Sequence, residues 1–498
     1  MTDATTSRHT PTPVPAWVRR WAEERPDAVA LVVDAGDPTT VRTWAQLAER
    51  QETLAALLEA RGVRPGDRVG CLLGNQPEFV ETFLATARIG AVFVPLNLRM
   101  TADEVAVVVG NAEPTLVVTE RSLHDLLAAT TVPTLDVDAW DALPAVTPSS
   151  PLPTADDLVA ILYTSGTTGD PKGAMYTHAA FGYTGLNQTV ALDLTPDDRH
   201  LVVSPLAFTG GILTGVQPVL FSGGTILLEP SFDPARLLRR MKDEGATIFM
   251  AVPTMLSLLL TSPAFTPEAF QTIRYLGSGS APAPLPLMEA YLEFGVRISH
   301  AYGLTEGGGL ATQLDPAEAF DHLGSAGKAC VTVELRIVGE GGIDQPAGEV
   351  GEIWQRGPST MSGYWRNPQA TARALTDGWV HTGDLGYLTS DGYLTVVGRI
   401  KDVIITGGMN VYPADVESVV LSHPAVAEAA VVGVPHEVYG ETVEAVVVLK
   451  PGATLTIDEL RPFVLERLAD YKAPRLLRIV DALPRTASGK VLKSELRS

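Results

Sequence analysis

Tyr163-Thr-Ser-Gly-Thr-Thr-Gly-Asp-Pro-Lys-Gly173 follows without a break on an apolar run from Leu158 to Tyr163. The run is short and apolar, and it reads as a buried strand. The eleven residues from Tyr163 to Gly173 hold four Ser and Thr hydroxyls, three glycines and one lysine. Gly166, Gly169 and Gly173 permit unusual backbone angles and close approach. Thr164, Ser165, Thr167 and Thr168 add hydroxyl donors, and Lys172 adds a mobile cation. Donors that converge in this way suit a polyphosphate. The Gly-x-x-x-x-Gly-Lys-Ser/Thr form of nucleotide loop is absent. A plain surface turn seldom has this composition.

On either side of this segment, helical and strand-like stretches alternate. Trp44 to Arg61 has apolar residues at helical spacing and stops at Gly62, and Arg68 to Leu73 reads as a buried strand. Phe79 to Ile89 is again helical, and Ala91 to Val94 again strand-like. Such alternation implies α/β layers around a largely parallel sheet. Asp141 to Asp157, rich in Pro, Ala and Ser, reads as a linker. From residue 331 to 397 short strands with frequent glycine turns predict a mostly β subdomain. A compact α/β tail follows from about residue 400 to 498, with strands at Ala429–Val434 and Val443–Leu449.

The chain has 498 residues, more than one hydrophobic core holds, so two or more domains are expected. Its net charge of −21 argues against a general nucleic-acid binder. Any site for an anion must therefore be locally basic or rich in N–H donors. The two cysteines, Cys71 and Cys330, are far apart and lack metal-ligand spacing, so a reducing cytoplasm is the simplest compartment. The first fifteen residues lack the apolar run of a secretory signal. Nothing reaches the roughly 18 uninterrupted apolar residues of a membrane span. The nine histidines show no zinc-ligand clustering, and Gly-x-Ser-x-Gly is missing.

The glycine- and hydroxyl-rich loop resembles the phosphate loop of the adenylate-forming superfamily: acyl- and aryl-CoA synthetases, peptide-synthetase adenylation domains and beetle luciferases. Further motifs stand in that superfamily's order. Gly277-Ser-Gly-Ser-Ala-Pro282 is similar to its adenine wall, with Ser280 where a second glycine usually sits. Tyr302-Gly-Leu-Thr-Glu306, Thr382-Gly-Asp384, Gly398-Arg-Ile-Lys-Asp402 and Pro484-Arg-Thr-Ala-Ser-Gly-Lys490 complete the set. The resemblance covers the chain from about Ala16 to its end.

The resemblance implies a large N-terminal core to residue 399 and a mobile C-terminal domain over 400–498, hinged near Lys401. It implies ATP and Mg²⁺ as cofactors, with coenzyme A as acceptor. Ser165, Gly166, Thr167, Thr168 and Lys172 would hold phosphates, and Thr164 and Glu306 would meet the metal, a hard cation suited to oxygen ligands. Gly279, Ser280, Ala281, Pro282, Tyr302 and Gly303 would enclose adenine, and Thr305 would meet the α-phosphate. Asp384 and Arg399 would bind the ribose hydroxyls. Lys490 would bridge the acid carboxylate and the α-phosphate, joining Thr164, Lys172 and Glu306 in catalysis. Gly408, within Thr406-Gly-Gly-Met-Asn410, would border the path of the CoA thiol.

At Pro205-Leu-Ala-Phe-Thr-Gly-Gly211, Ala207 and Phe208 replace the aromatic–His pair of many acyl-CoA synthetases. Phe208, Gly277, Ser278, Gly303, Gly308 and Leu310 are expected to line the acid pocket, the glycines leaving room for a ring or medium chain. The implied partner is a small carboxylic acid. No nucleic acid or membrane span is expected, and a homodimer is compatible. His178 reads as structural. Two readings compete: transfer of the acyl group to a carrier protein or another nucleophile, and a non-catalytic nucleotide sensor. Intact Lys172, Glu306, Asp384, Arg399 and Lys490 weigh against the sensor.

Overall fold

The computed structural model describes residues 11–34, 39–142, 147–164, 171–279, 283–485 and 491–497. Four sheets organise them. The largest has nine strands, ordered Lys328–Ala329, Thr312–Gln313, Ile298–Tyr302, Tyr275–Ser278, Ile248–Ala251, Arg199–Val202, Thr225–Leu228, Val29–Val33 and Thr40–Thr43. Its centre is parallel and its margins are antiparallel. A six-stranded sheet runs Thr134–Asp136, Leu116–Thr119, Arg68–Leu72, Val92–Pro95, Leu158–Thr164 and Lys172–Thr177. It is parallel except for the final hairpin. The alternating sequence pattern thus builds two sheets.

The central strands are apolar along their whole length because both faces are covered. Val92–Pro95 and Thr225–Leu228, for example, are buried at every position. One core joins the two sheets: Leu31, Val202 and Ile226 from the first meet Val69, Phe93 and Ala160 from the second. Helices Pro77–Arg88 and His178–Ala191 fill the space between, through Phe83 and Phe181. Helix starts follow capping chemistry. Thr43 with Gln46, Thr101 with Glu104 and Thr456 with Glu459 each form a reciprocal capping box.

The third sheet is wholly antiparallel and spans Glu334–Val338, Gly351–Arg356, Leu375–Thr376, Trp379–Leu388 and Leu394–Arg399. After the turn Ile400–Asp402 a fourth sheet begins, with Val426–His436 and Gly440–Leu449 as its long hairpin. That last unit has its own interior, around Val416, Val431, Ala445 and Leu460.

Two fully buried carboxylates are each shared between two arginines. Glu229 is fully buried and pairs with both Arg236 and Arg240, and Arg240 also donates to the Leu228 and Val32 carbonyls. Glu81, equally buried, pairs with Arg42 and Arg50. Glu229→Met would strand the buried Arg240 guanidinium, an error of about 3 kcal/mol or more. The double variant Glu229→Met/Arg240→Met should recover most of that loss. Urea unfolding midpoints of the three proteins provide the comparison.

Candidate functional site

The hairpin Leu158–Thr164/Lys172–Thr177 places Thr164 directly opposite Lys172, with the Thr164 hydroxyl 3.5 Å from the Lys172 carbonyl. Residues 165–170, including Ser165, Gly166, Thr167 and Thr168, lie outside the described residues. A short segment zips onto the returning strand: Met175 N–H donates to Gly363, Ser362 N–H to Met175 and Trp365 N–H to Gly173. It delivers Tyr364 to the loop's exit. Lys172 Nζ sits 5.6 Å from the centre of the Tyr364 ring. The Tyr364 hydroxyl donates to Glu306 Oε1 at 2.7 Å. Met361 N–H holds the Glu306 carbonyl at 3.0 Å. Lys172 and Glu306, 134 positions apart by their numbers, are thus bridged by one tyrosine.

Thr305 is held from two sides. Its hydroxyl shares a 2.5 Å hydrogen bond with Thr209, and its carbonyl accepts from the Tyr176 hydroxyl. Burial, then the Glu306 charge, raises the Tyr176 hydroxyl well above its ordinary range, so it stays a donor. Beyond this turn Tyr302 donates to Asp384 Oδ2 at 2.8 Å, and Arg399 Nε pairs with Asp384 Oδ1 at 2.9 Å. Asp384 and Arg399 face each other across an antiparallel pair, which sets their distance. Thr382 Oγ1 accepts from the Asp384 N–H at 3.0 Å. Asp384 is nearly buried while Arg399 is about half exposed, so the pair presents one open edge.

The expectation that glycines leave free volume needs correction. A methyl added at Gly277 would lie 2.7 Å from the Tyr275 ring. At Gly303 it would lie 2.0 Å from the Gly309 carbonyl oxygen, and at Gly308 2.5 Å from the Ser359 carbonyl oxygen. These glycines serve close packing; the missing Gly308 side chain faces Ser359, not a cavity. Gly308 also has φ +95°, which disfavours any side chain. Leu310 turns into the core with Ala311, Cys330 and Val333. Open or nearly open space is found instead beside Gly210 and Gly279, judged among the described residues. Gly309 faces Thr209, Leu213 and Thr214 at 3.2–3.5 Å.

Phe208 starts the turn Thr209–Gly211, which widens into a π-type turn over Ile212–Val216. The buried Gln188 donates to the Leu213 carbonyl there at 2.6 Å. Upstream, the buried Asn75 fixes the approach: its amide donates to the Ser204 and Glu229 carbonyls at 3.1 and 2.9 Å, and its oxygen accepts from Leu206 N–H at 2.9 Å. Ser278 is buried and its hydroxyl has no partner among the described residues. Ser280, Ala281 and Pro282 lie outside the described residues, but His300 Nε2 accepts from Ala283 N–H at 3.0 Å just after them. Burial lowers the His300 pKa and so keeps it an acceptor. Burial likewise pushes His178 down to about 4, and its Nδ1 accepts from Val14 N–H at 3.3 Å, a structural role.

Asn75, His300, Gln355 and Tyr364 were not singled out from the sequence. Gln355 is fully buried and donates to the Gly307 carbonyl at 2.8 Å, bracing the turn after Glu306. In the last unit, Gly408 is exposed at φ +79° in the turn before Met409–Val411. Lys401 lies in the turn Ile400–Asp402, whose Lys401 carbonyl and Asp402 carboxylate both accept from Arg497, at 3.2 and 3.1 Å. Lys490 lies outside the described residues; the segment holding it is bracketed by an Arg485–Val491 bridge and a Leu492 N–H bond to Pro484.

Two family models match. Residues 18–365 fit "AMP-binding enzyme", and residues 415–490 fit "AMP-binding enzyme C-terminal domain". Feruloyl-CoA synthase of Amycolatopsis sp is 39% identical across 97% of this chain and 98% of its own length. Indoleacetate–CoA ligase of Aromatoleum aromaticum is 36% identical across 97% of both chains. The solved structure of o-succinylbenzoate CoA synthetase (MenE) from Bacillus subtilis with its acyl-adenylate intermediate superposes with a TM-score of 0.89, at 34% identity over 98% of this chain and 99% of that one.

Asn75→Leu keeps the volume but leaves Leu206 N–H and the Ser204 and Glu229 carbonyls unpaired. Each buried orphan costs about 1–3 kcal/mol, so the unfolding midpoint should fall and amide exchange should quicken at residues 203–211 first. Uniform quickening across the large domain would show that Asn75 does not act on that segment.

Proposed function

The chain belongs to the AMP-binding enzyme family and is an ATP-dependent acid–CoA ligase of the AMP-forming type; from that premise we propose which residues serve each step and what class of acid is used. In the first step a carboxylate oxygen attacks the α-phosphorus of ATP, forming the acyl-adenylate as the bond to pyrophosphate breaks. In the second, the thiol of coenzyme A attacks the acyl carbon, the C–S bond forms and AMP leaves.

The bridging of Lys172 and Glu306 by Tyr364 carries the assignment. A cation and a carboxylate meet where a hydroxyl-rich loop begins and returns, which suits a polyphosphate with its counter-ion. Glu306 would, with substrate phosphates and Thr164, hold a Mg²⁺ ion that neutralises charge on the leaving pyrophosphate. Tyr364 fixes the carboxylate, and Lys172 steadies the outer phosphates. Thr305, pinned by Thr209 and Tyr176, offers its hydroxyl to the α-phosphate. Asp384 accepts from the ribose hydroxyls, with Arg399 orienting it, while Tyr302 is anchored through its own hydroxyl so that its ring covers adenine. Lys490 brings its ammonium between the two anions that must react.

The small domain from residue 400 onward turns about Lys401 between the steps, withdrawing Lys490 and bringing Gly408 beside the thiol path. The acid is aromatic, as the names of the relatives given above, for feruloyl, indoleacetate and o-succinylbenzoate groups, support. No helix among the described residues is long and apolar enough to cross a membrane. Cys71 and Cys330 are free and buried, in keeping with a reducing cytoplasm.

Single-turnover rates of the two half-reactions test the assignment. Lys490→Ala should slow acyl-adenylate formation by roughly 10²-fold or more, yet convert supplied acyl-adenylate to thioester at a near-normal rate. Normal adenylation in that variant removes Lys490 from catalysis. Lys401→Pro fixes φ near −65° and should impair thioester formation more than adenylation. Equal loss of both steps leaves Lys401 a folding determinant.

A further inference from the structure

Thr164, Lys172 and Tyr364, assigned above to the phosphate and metal end of the nucleotide site, have immediate neighbours that touch one another. Tyr163 lies opposite Gly173 across the hairpin, and Trp365 N–H donates to the Gly173 carbonyl at 2.7 Å. A methyl on Gly173 would lie 3.0 Å from Tyr163 Cζ, so the phenol ring lies across the glycine. Asn111, in the last turn of helix Ala102–Ala112, holds two of these three neighbours. Its Oδ1 accepts from the Tyr163 hydroxyl at 2.5 Å, and its carbonyl accepts from Trp365 Nε1 at 3.2 Å. Burial raises the Tyr163 hydroxyl above its ordinary range, so it stays a donor.

The end of that helix is itself held. Arg68 donates to the Ala112 and Glu113 carbonyls at 2.9 and 2.8 Å, filling acceptors that a helix end leaves open. The guanidinium carbons of Arg68 and Arg366 stand 5.4 and 5.6 Å from the centre of the Trp365 ring. Arg366 also donates to Glu113 Oε2 at 2.7 Å. Glu113 and Arg366 both have left-handed backbone, at φ +47° and +51°, which is costly for residues other than glycine. Such residues persist where the surrounding structure enforces them. The Tyr163 and Trp365 rings also pack against the core around Val94, Val108 and Ile161. Only their polar atoms therefore separate a positioning role from a packing one.

We infer that Asn111 is a positioning residue for the phosphate and metal end of the nucleotide site. It fixes Tyr163 through its side chain and Trp365 through its carbonyl. Each passes that placement one residue along the chain: Tyr163 to Thr164, and Trp365 to Tyr364, whose hydroxyl holds Glu306. Lys172 is carried with them, because it precedes Gly173, the residue both neighbours meet. Three groups brought from distant parts of the sequence are thus set against one helix end before any nucleotide arrives. The inference rests on the nucleotide-site reading given above and adds to it a residue that acts through two others. Its effect falls on the pyrophosphate end of ATP. Adenine, ribose and the α-phosphate, served by Tyr302, Asp384 and Thr305, lie outside its reach.

The test compares MgATP with AMP, which shares the adenine, ribose and α-phosphate but lacks the pyrophosphate end. Calorimetric dissociation constants for both are measured on the full chain and on Asn111→Leu, Tyr163→Phe, their double variant and Asn111→Asp. Asn111→Leu and Tyr163→Phe delete the same hydrogen bond from opposite sides. Each should weaken MgATP about tenfold and leave AMP within twofold. The double variant should lose no more than either single one, since the bond is lost only once. Asn111→Asp keeps an acceptor oxygen and should recover most of the affinity. Thermal unfolding establishes that the variants fold; if Asn111→Leu does not, Tyr163→Phe, which keeps its ring, decides. Equal weakening of MgATP and AMP, or of neither, overturns the inference and makes Asn111 a packing residue. Additive losses in the double variant overturn it too. Wild-type binding of both nucleotides leaves the nucleotide-site reading standing in those cases, whereas a wild type that binds neither overturns both.

Discussion

Tyr176 belongs to two parts of the molecule at once, and that double membership is the constraint from which the site follows. Its ring is sealed in the core shared by the two large sheets, edge-on to Phe181 at 5.9 Å, with Phe83 and Phe93 behind. Its hydroxyl leaves that core and holds the Thr305 carbonyl. Interiors packed at crystal-like density do not let such a ring drift. The turn from Tyr302 to Gly307 is therefore referenced to the core, not to solvent. Tyr364 repeats the device one step outward. It is anchored by the strand it zips onto and reaches Glu306 through its hydroxyl. Two phenols thus convert packing into the placement of a backbone carbonyl and a carboxylate.

Much of this could be read from the chain alone, because the relevant signals are local. Leu158–Thr164 is an apolar run followed by hydroxyls and glycines, and both features occupy consecutive residues. The helix read as Trp44 to Arg61 is found at Trp44–Ala60, since Thr43 and Gln46 mark its start within four residues. The strands read at Ala429–Val434 and Val443–Leu449 lie inside Val426–His436 and Gly440–Leu449. Asn75, His300, Gln355 and Tyr364 were invisible for the opposite reason. Each is a single polar residue whose partners lie far along the chain, as Asn75 and Leu206 do, and no spacing rule announces it.

The glycines show where reading by composition misleads. A sequence reports that Gly277, Gly303 and Gly308 lack side chains; it does not report what occupies the space. Here the occupants are the Tyr275 ring, the Gly309 carbonyl and Ser359. The charges behave similarly. A chain of net charge −21 still gathers Lys172 and Arg399 at the site, each beside a carboxylate or a phenol that orients it. Net charge constrains the solvent-facing field and leaves such local pairs undetermined.

Arg497 grips both the Lys401 carbonyl and the Asp402 carboxylate, and this gives the connector an unequal mechanical character. The second half of the turn Ile400–Asp402 is tied to the residue just past the last helix, Lys493–Leu496. For the rotation proposed above, these contacts would travel with the smaller unit and leave the bonds next to Arg399 to turn. An affinity handle joined beyond Arg497 would then bear directly on the connector, and is poorly sited for work on that motion.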